Sequence, residues 1–196
     1  LCYHFQRTGD ARTALPFTVS AAEAAARSFA HQKAIRHYEK ALELLEKAGF
    51  NEGEKAAKEW EILEKLAVVA STTGEYLLAE KCLRRLLRVS KEELGAERAA
   101  RVHRKLGETF NRRGNYKQAQ QHLEGALAII GHDDCPERAI TLAALSWLYH
   151  EKGQMDQSLS LGREALQALP LVKDKEERLR PFTVLNNTMG LALSSR

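Results

Sequence analysis

One short turn recurs along this chain at an almost constant interval. Thr73-Gly74-Glu75-Tyr76 is followed by Ala79, Arg113-Gly114-Asn115-Tyr116 by Ala119, and Lys152-Gly153-Gln154-Met155 by Ser158. Thr8-Gly9-Asp10, followed by Ala14, is a fourth and weaker copy. Gly74 and Gly114 lie 40 residues apart, and Gly114 and Gly153 lie 39 apart. A fixed period of about 20 to 50 residues marks a stacked repeat architecture. Each unit of such an array buries its apolar face only against its neighbours. Arrays of this kind present surfaces that hold partners, and they seldom perform chemistry.

Apolar residues recur at helical spacing almost throughout, and no segment alternates with period two long enough to form a sheet. The pattern predicts helices over 1–7, 11–28, 31–48, 53–73, 75–90, 96–113, 116–130, 136–152, 155–169 and 175–194. Gly74, Gly114 and Gly153 each follow the last turn of a helix, where a left-handed residue closes the cap without a Cβ clash. Pro136 falls at a helix start, where its missing N–H costs nothing. Pro170 stops a helix. No low-complexity linker divides the chain. The expected architecture is all-α: one domain, a right-handed superhelical array of antiparallel helix pairs with repeats of about 40 residues. Its units run over 1–28, 15–48, 53–90, 96–130, 136–169 and a truncated 175–196.

The third full unit carries a recognisable signature. Leu106-Gly107, Phe110, Gly114, Tyr116, Ala119, Leu123 and Ala126 fall at the spacing of the tetratricopeptide (TPR) repeat, which this chain resembles. The packing logic is visible in the residue types. Gly107 and Ala119 let two helices approach closely, Phe110 fills the groove between them, and Ala126 receives the next helix. Leu145, Ser146, Tyr149, Gly153, Ser158, Ala165 and Pro170 repeat the pattern, with Gly162 at a position where the family has a large residue. Leu66, Ala67, Ala70, Gly74, Ala79 and Leu83 form a looser copy, with Leu86 at an expected small position. Ala34, Tyr38 and Ala41 match the second helix of an earlier unit. Met189-Gly190 and Leu193 look like the first helix of a further one. The front end is irregular. Only 20 residues separate Ala14 from Ala34, so helix 11–28 is expected to serve two units.

The front end also resembles a larger class. Tyr3 to Asp10, then Ala14-Leu15, Ala24-Ala25-Ala26 and Tyr38-Glu39-Lys40-Ala41-Leu42 look like the start of the helical-repeat region that follows the ATPase module in bacterial STAND-type signalling ATPases and transcriptional activators. The resemblance implies a sensor region, with the nucleotide site upstream. The chain begins at Leu1 without Met and ends at Arg196 inside a helical pattern, which reads as a piece of a longer protein.

Little in the sequence points to catalysis. It contains no phosphate-binding glycine loop, no H-E-x-x-H and no paired cysteine motif. The fragment is therefore expected to be neither an enzyme nor a holder of a cofactor or metal. His132-Asp133-Asp134-Cys135 groups four donors, but they are adjacent in a capping loop, whereas zinc sites draw spaced pairs. The other histidines are scattered, and packing or surface roles are expected for them. Three cysteines without close spacing suit a reducing cytoplasm. No apolar run approaches the roughly 20 residues of a membrane span.

Charge is unevenly spread. Residues 81–117 hold twelve Lys and Arg against four Glu. Residues 39–64 hold eight Glu against four Lys. In TPR arrays the first helix of each unit lines a concave groove. On helix 96–113 the corresponding face carries Arg101, Arg104, Glu108 and Asn111, and on helix 136–152 it carries Ile140, Ala143, Trp147 and His150. On the last helix it carries Val184, Asn187 and Leu191, and on helix 53–73 Glu61, Glu64, Val68 and Ser71. Residues three or four apart share one helix face. Asn186-Asn187 resembles the paired Asn of kinesin-light-chain-like repeats.

The expected binding set is Arg101, Arg104, Glu108, Asn111, Trp147, His150 and Asn187. Arg forks would take carboxylates, Trp147 would anchor, and Asn would pair with peptide backbone. The expected function is thus a protein-interaction module for a peptide or protein segment, acidic or amphipathic, in a signalling protein. The alternative is a regulatory module binding nucleic acid through the basic 81–117 stretch, although no recognition motif supports it. Self-association through an apolar face at 182–193 is a further expectation. Reversing the charge of both Arg101 and Arg104 is expected to abolish capture and leave helicity intact.

Overall fold

The computed structural model describes residues 11–89, 95–131, 135–173, 185–186 and 190. The helix expected at 1–7, and most of that at 175–194, fall outside them, as do Val184, Asn187 and Leu191. The described residues form eight α-helices and no strand. They are α1 (Ala11–Arg27), α2 (His31–Lys47), α3 (Glu52–Thr72), α4 (Tyr76–Val89), α5 (Ala96–Arg112), α6 (Tyr116–Ile130), α7 (Pro136–Glu151) and α8 (Met155–Ala168), followed by a short 3-10 turn at Leu169–Leu171. Every boundary lies within one residue of the sequence expectation. The eight helices pair in chain order, α1 with α2, α3 with α4, α5 with α6 and α7 with α8.

The contacts gather into two compact units, Leu1–Glu92 and Glu93–Arg196. In the first, α1–α2 and α3–α4 are joined through packing of α2 on α3. Tyr38, Leu45, Ile62, Leu63, Leu66, Leu83 and Leu86 are its large, fully buried side chains. Leu86, at a position where the family has a small residue, is therefore accommodated inside the core. In the second unit α7 packs on both α5 and α6. Phe110, Leu106, Leu123, Leu142 and Leu148 fill it.

The same turn closes each pair. Gly74, Gly114 and Gly153 have φ of 81°, 72° and 73°, as their positions after a helix require. The next amide reaches back into the helix: Glu75 N to Ala70 O, Asn115 N to Phe110 O and Gln154 N to Tyr149 O, all at 2.9 Å. This bond satisfies a carbonyl that would otherwise be orphaned at the helix end. Each turn leads to a small residue with no exposure, Ala79, Ala119 or Ser158.

The α1–α2 turn has the same construction without glycine. Ala30 N donates to Ala25 O at 2.8 Å, and five residues after Phe29 stands Ala34, also fully buried. Phe29 occupies the left-handed position at φ 58° and is 83% exposed. The repeat thus extends to the α1–α2 pair, where a glycine search passes over it because Phe stands in the turn. α1 is the first helix of that pair. Its second expected role, as partner of 1–7, concerns residues outside those described.

Close approach inside a pair is clearest at Gly107. A Cβ there would lie 2.6 Å from Leu123 Cγ and 3.0 Å from the carbonyl oxygen of Ala119. In the next pair Ser146 and Ser158 occupy the matching positions. Ser146 Oγ donates to Ser158 O at 2.8 Å and Ser158 Oγ to Ser146 O at 2.9 Å. The two helices are near enough for each hydroxyl to find the other's backbone, and both groups stay satisfied in a dry contact.

Two stability measurements check this account. Gly107→Ala should lower the unfolding free energy by about 2 kcal/mol, because overpacking against a backbone oxygen outweighs the helix-propensity gain. Phe29→Gly should raise it by about 1 kcal/mol, because a left-handed conformation strains any residue with a Cβ. Urea midpoints with unchanged slopes would report both.

Candidate functional site

In the second unit, the face expected to bind is built on α5 and α7. The apolar side of α5 carries Val102, Leu106 and Phe110, all buried. This turns Arg101, Arg104, Glu108 and Asn111, spaced by three and four residues, to another side of the helix. All four are half-buried. On α7, Trp147 and His150 are half-buried neighbours, their ring centroids 5.4 Å apart.

The arginines are engaged within the chain. Arg104 Nε donates to Glu137 Oε1, its NH1 to Glu108 Oε1 at 2.8 Å and its NH2 to Glu137 Oε2 at 3.4 Å. Arg101 Nε donates to Glu137 Oε2 at 3.3 Å, and its NH2 lies 3.5 Å from Glu97. Glu137 has a side-chain exposure of 1% and Arg104 of 11%. Burial works against the charge of Arg104, but Glu108 and Glu137 beside it prevail and push its pKa up. A lone carboxylate at the depth of Glu137 would cost several kcal/mol. Two guanidiniums and the positive end of α7 offset that cost. The cluster ties α5 to α7, so it sets the spacing between consecutive repeats of this unit.

Glu137 was not a sequence candidate. An acidic residue in a first helical turn looks ordinary, and only the fold brings two arginines to it. Ala143, placed on the binding face by its spacing, is buried with Leu142, Ala165 and Leu185. The face is closed there by packing. Leu185 is itself fully buried, so at that residue the stretch expected to expose an apolar face exposes none. Asn187 lies outside the described residues.

Asn111 and His150 hold equivalent places. Each is the last residue but one of its helix, and each carbonyl accepts the amide of the turn glycine at 2.9 Å, Gly114 N and Gly153 N respectively. Asn111 Oδ1 and His150 Nδ1 are both buried side-chain atoms without a hydrogen-bond partner. The unit therefore offers two unpaired polar atoms at the same repeat position, the His150 one in a ring that neighbours the Trp147 indole.

In the first unit, the corresponding face of α3 carries Glu61 and Val68, both exposed, and Glu64 and Ser71, both half-buried. Lys65 bridges Glu61 at 2.6 Å and Glu23 of α1 at 2.5 Å. Arg85 of the basic stretch is also engaged internally, with Glu59 and, at 3.3 Å, Glu46. Among the described residues no cluster of three or more metal-binding side chains occurs. Residues 132–134 of the donor-rich loop lie outside them. No helix in the described residues is long and apolar enough to cross a membrane.

The repeat geometry defines a class, and comparison with known proteins agrees. The tetratricopeptide repeat family model matches residues 61–131 and 99–170, a span of more than half the chain. The chain belongs to this family. No curated protein sequence matches it. Among solved structures it is similar to the apo form of RapI, with a TM-score of 0.72 and 20% identity over 95% of this chain and 53% of that one. A Podosopora anserina putative kinesin light chain with nearly identical TPR-like repeats gives a TM-score of 0.65 and 18% identity, over 93% of this chain and 88% of that one. The Rap conjugation gene regulator of plasmid pLS20, in complex with the Phr* peptide, gives a TM-score of 0.65 and 17% identity, over 92% and 53%. The chain spans about half the length of the two Rap proteins. These likenesses establish the fold.

The ion cluster alters what charge reversal should do. Arg101→Glu with Arg104→Glu would set two more carboxylates against buried Glu137, and loss of helicity in the second unit is the expected result, against the sequence expectation of an intact fold. Glu137→Ala alone should cost about 3 kcal/mol, since it removes one of the two carboxylates that hold the largely buried Arg104. Circular dichroism through a urea titration checks both.

Proposed function

We propose that the chain is a non-enzymatic recognition module whose α5–α7 face holds an extended peptide segment of another protein. The observation that carries this reading is the pair of unpartnered buried atoms, Asn111 Oδ1 and His150 Nδ1. Leaving such atoms unmade is costly, and a peptide backbone offers hydrogen-bonding groups for both. Trp147, beside the His150 ring, supplies a broad apolar anchor of the kind that dominates binding energy. The fold is one in which a peptide complex occurs, that of the pLS20 Rap regulator.

Arg101, Arg104 and Glu108 act in this reading as the walls of the site. Their charges are offset by one another and by Glu97 and Glu137. A preference for acidic partners would come instead from exposed Arg98 and Arg112. We also read the chain as the sensor region of a larger cytoplasmic signalling protein of the STAND type. A P-loop ATPase module in the reading frame upstream of Leu1 would support that part, and its absence from the intact reading frame would remove it.

A peptide-display library panned against the chain tests the binding face. Selected peptides should shift Trp147 fluorescence in a Trp60→Phe background. Asn111→Ala and Trp147→Ala should each weaken binding about tenfold or more, equivalent to about 1.4 kcal/mol, without loss of helicity. Peptides that bind both folded variants as tightly as the parent would place recognition elsewhere.

A further inference from the structure

Two histidines that stand 19 residues apart in the sequence meet between α5 and α6. His103 Nδ1 and His122 Nδ1 are 3.2 Å apart, with ring centroids at 5.2 Å and planes inclined by 44°. We propose that this pair is a chelating site for a divalent transition ion of the zinc, nickel or copper class, bridging the two helices of one repeat.

Three features of the site support chelation. The first is distance. Two nitrogens each about 2.0 to 2.1 Å from one ion and 3.2 Å from each other subtend roughly 100° at it, close to a tetrahedral angle. Imidazole nitrogen is a ligand type that zinc, copper and nickel accept.

The second is preorganisation. The His122 ring stacks on Phe110, with centroids 5.4 Å apart and planes within 12°. Phe110 is only 2% exposed, so it is an immobile backing that fixes the imidazole plane before any ion arrives. Ligand groups held in place lose less freedom on binding.

The third is electronic state and room. Burial pulls the His103 pKa below its ordinary value, the direction that favours the neutral ring. Metal binding requires deprotonated imidazole. On α6 the residue facing the same nitrogen beside His122 is Gly125, where even an added Cβ would stay 3.6 Å from His103 Nδ1, so no side chain at that position crowds it. No third protein donor completes a cluster among the described residues. The remaining coordination positions therefore belong to water, as in an open site.

In the competing arrangement the two rings share one proton as an N–H···N hydrogen bond, and no ion is taken up. The two cases separate cleanly on the whole chain with zinc chloride as the probe. In the chelate, one equivalent of zinc shifts the imidazole ¹⁵N resonances of both His103 and His122. It also raises the thermal midpoint, because only the folded pairing of α5 and α6 presents both ligands, and excess chelator reverses the rise. His103→Gln and His122→Gln should each lower zinc affinity about a hundredfold, at least as much as losing a hydrogen-bond partner of a ligand costs, with helicity kept. The inference is overturned if zinc leaves both resonances unmoved, if it shifts those of His31, His37 or His150 instead, or if the double variant keeps the parent's affinity. The resonance measurement needs no substitution, so it decides the question even if a variant fails to fold.

Discussion

Two antiparallel helices can bring their backbones close only where no side chain stands between them. In the α5–α6 pair that condition is met by Gly107 facing Ala119 and Leu123. In α7–α8 it is met by Ser146 and Ser158, each hydroxyl spent on the other's carbonyl. Close approach brings the large residues on either side, Leu106, Phe110 and Leu123, into full burial. It also requires a tight return, and the left-handed turn with its amide reaching back into the helix supplies one. The remaining features of each unit follow from this contact. The helix pair becomes a slab with one face for its neighbour and another for solvent or a partner.

Stacking one slab on the next exposes a different problem, because polar residues at the edge of each slab become partly buried. In the second unit the solution is ionic. Glu137 enters a dry position on α7 and is met by Arg104 and Arg101 from α5. Such a cluster contributes little net stability, since desolvation consumes much of the Coulombic gain. Its effect is on specificity: α7 can sit against α5 in few other ways without stranding a charge. The same cluster changes the chemistry of the face it borders. A row of arginines that would have attracted carboxylates is already compensated, so the proposed recognition rests on hydrogen bonding at Asn111 and His150 and on the Trp147 ring.

The helices were legible in the sequence because helix ends are decided locally. Gly153 after α7, Pro136 at its start and Asn51 ahead of α3, where its side chain accepts the Glu54 amide at 2.8 Å, act over four or five residues. Apolar spacing marks the buried sides for the same reason. The α1–α2 turn escaped a search for glycine because Phe29 adopts the left-handed conformation there. What a neighbouring helix holds in place need not be marked in the residue type.

The candidate site was only half legible. Arg101, Arg104, Asn111, Trp147 and His150 could be placed on their helix faces by counting, since the helix period alone decides that. Whether a face is open is a property of two or more helices. Ala143 is covered by Ala165 and Leu185, and the arginines are claimed by a glutamate more than 30 positions away. His103 and His122 meet only because α6 folds back along α5. By itself, then, the sequence determined helix type, helix length and the repeat interval, all governed by interactions within a turn or two. The tertiary structure decided which charges are neutralised, which polar atoms are left unpaired and which imidazoles touch. Those outcomes depend on distances between segments, and local spacing does not contain them.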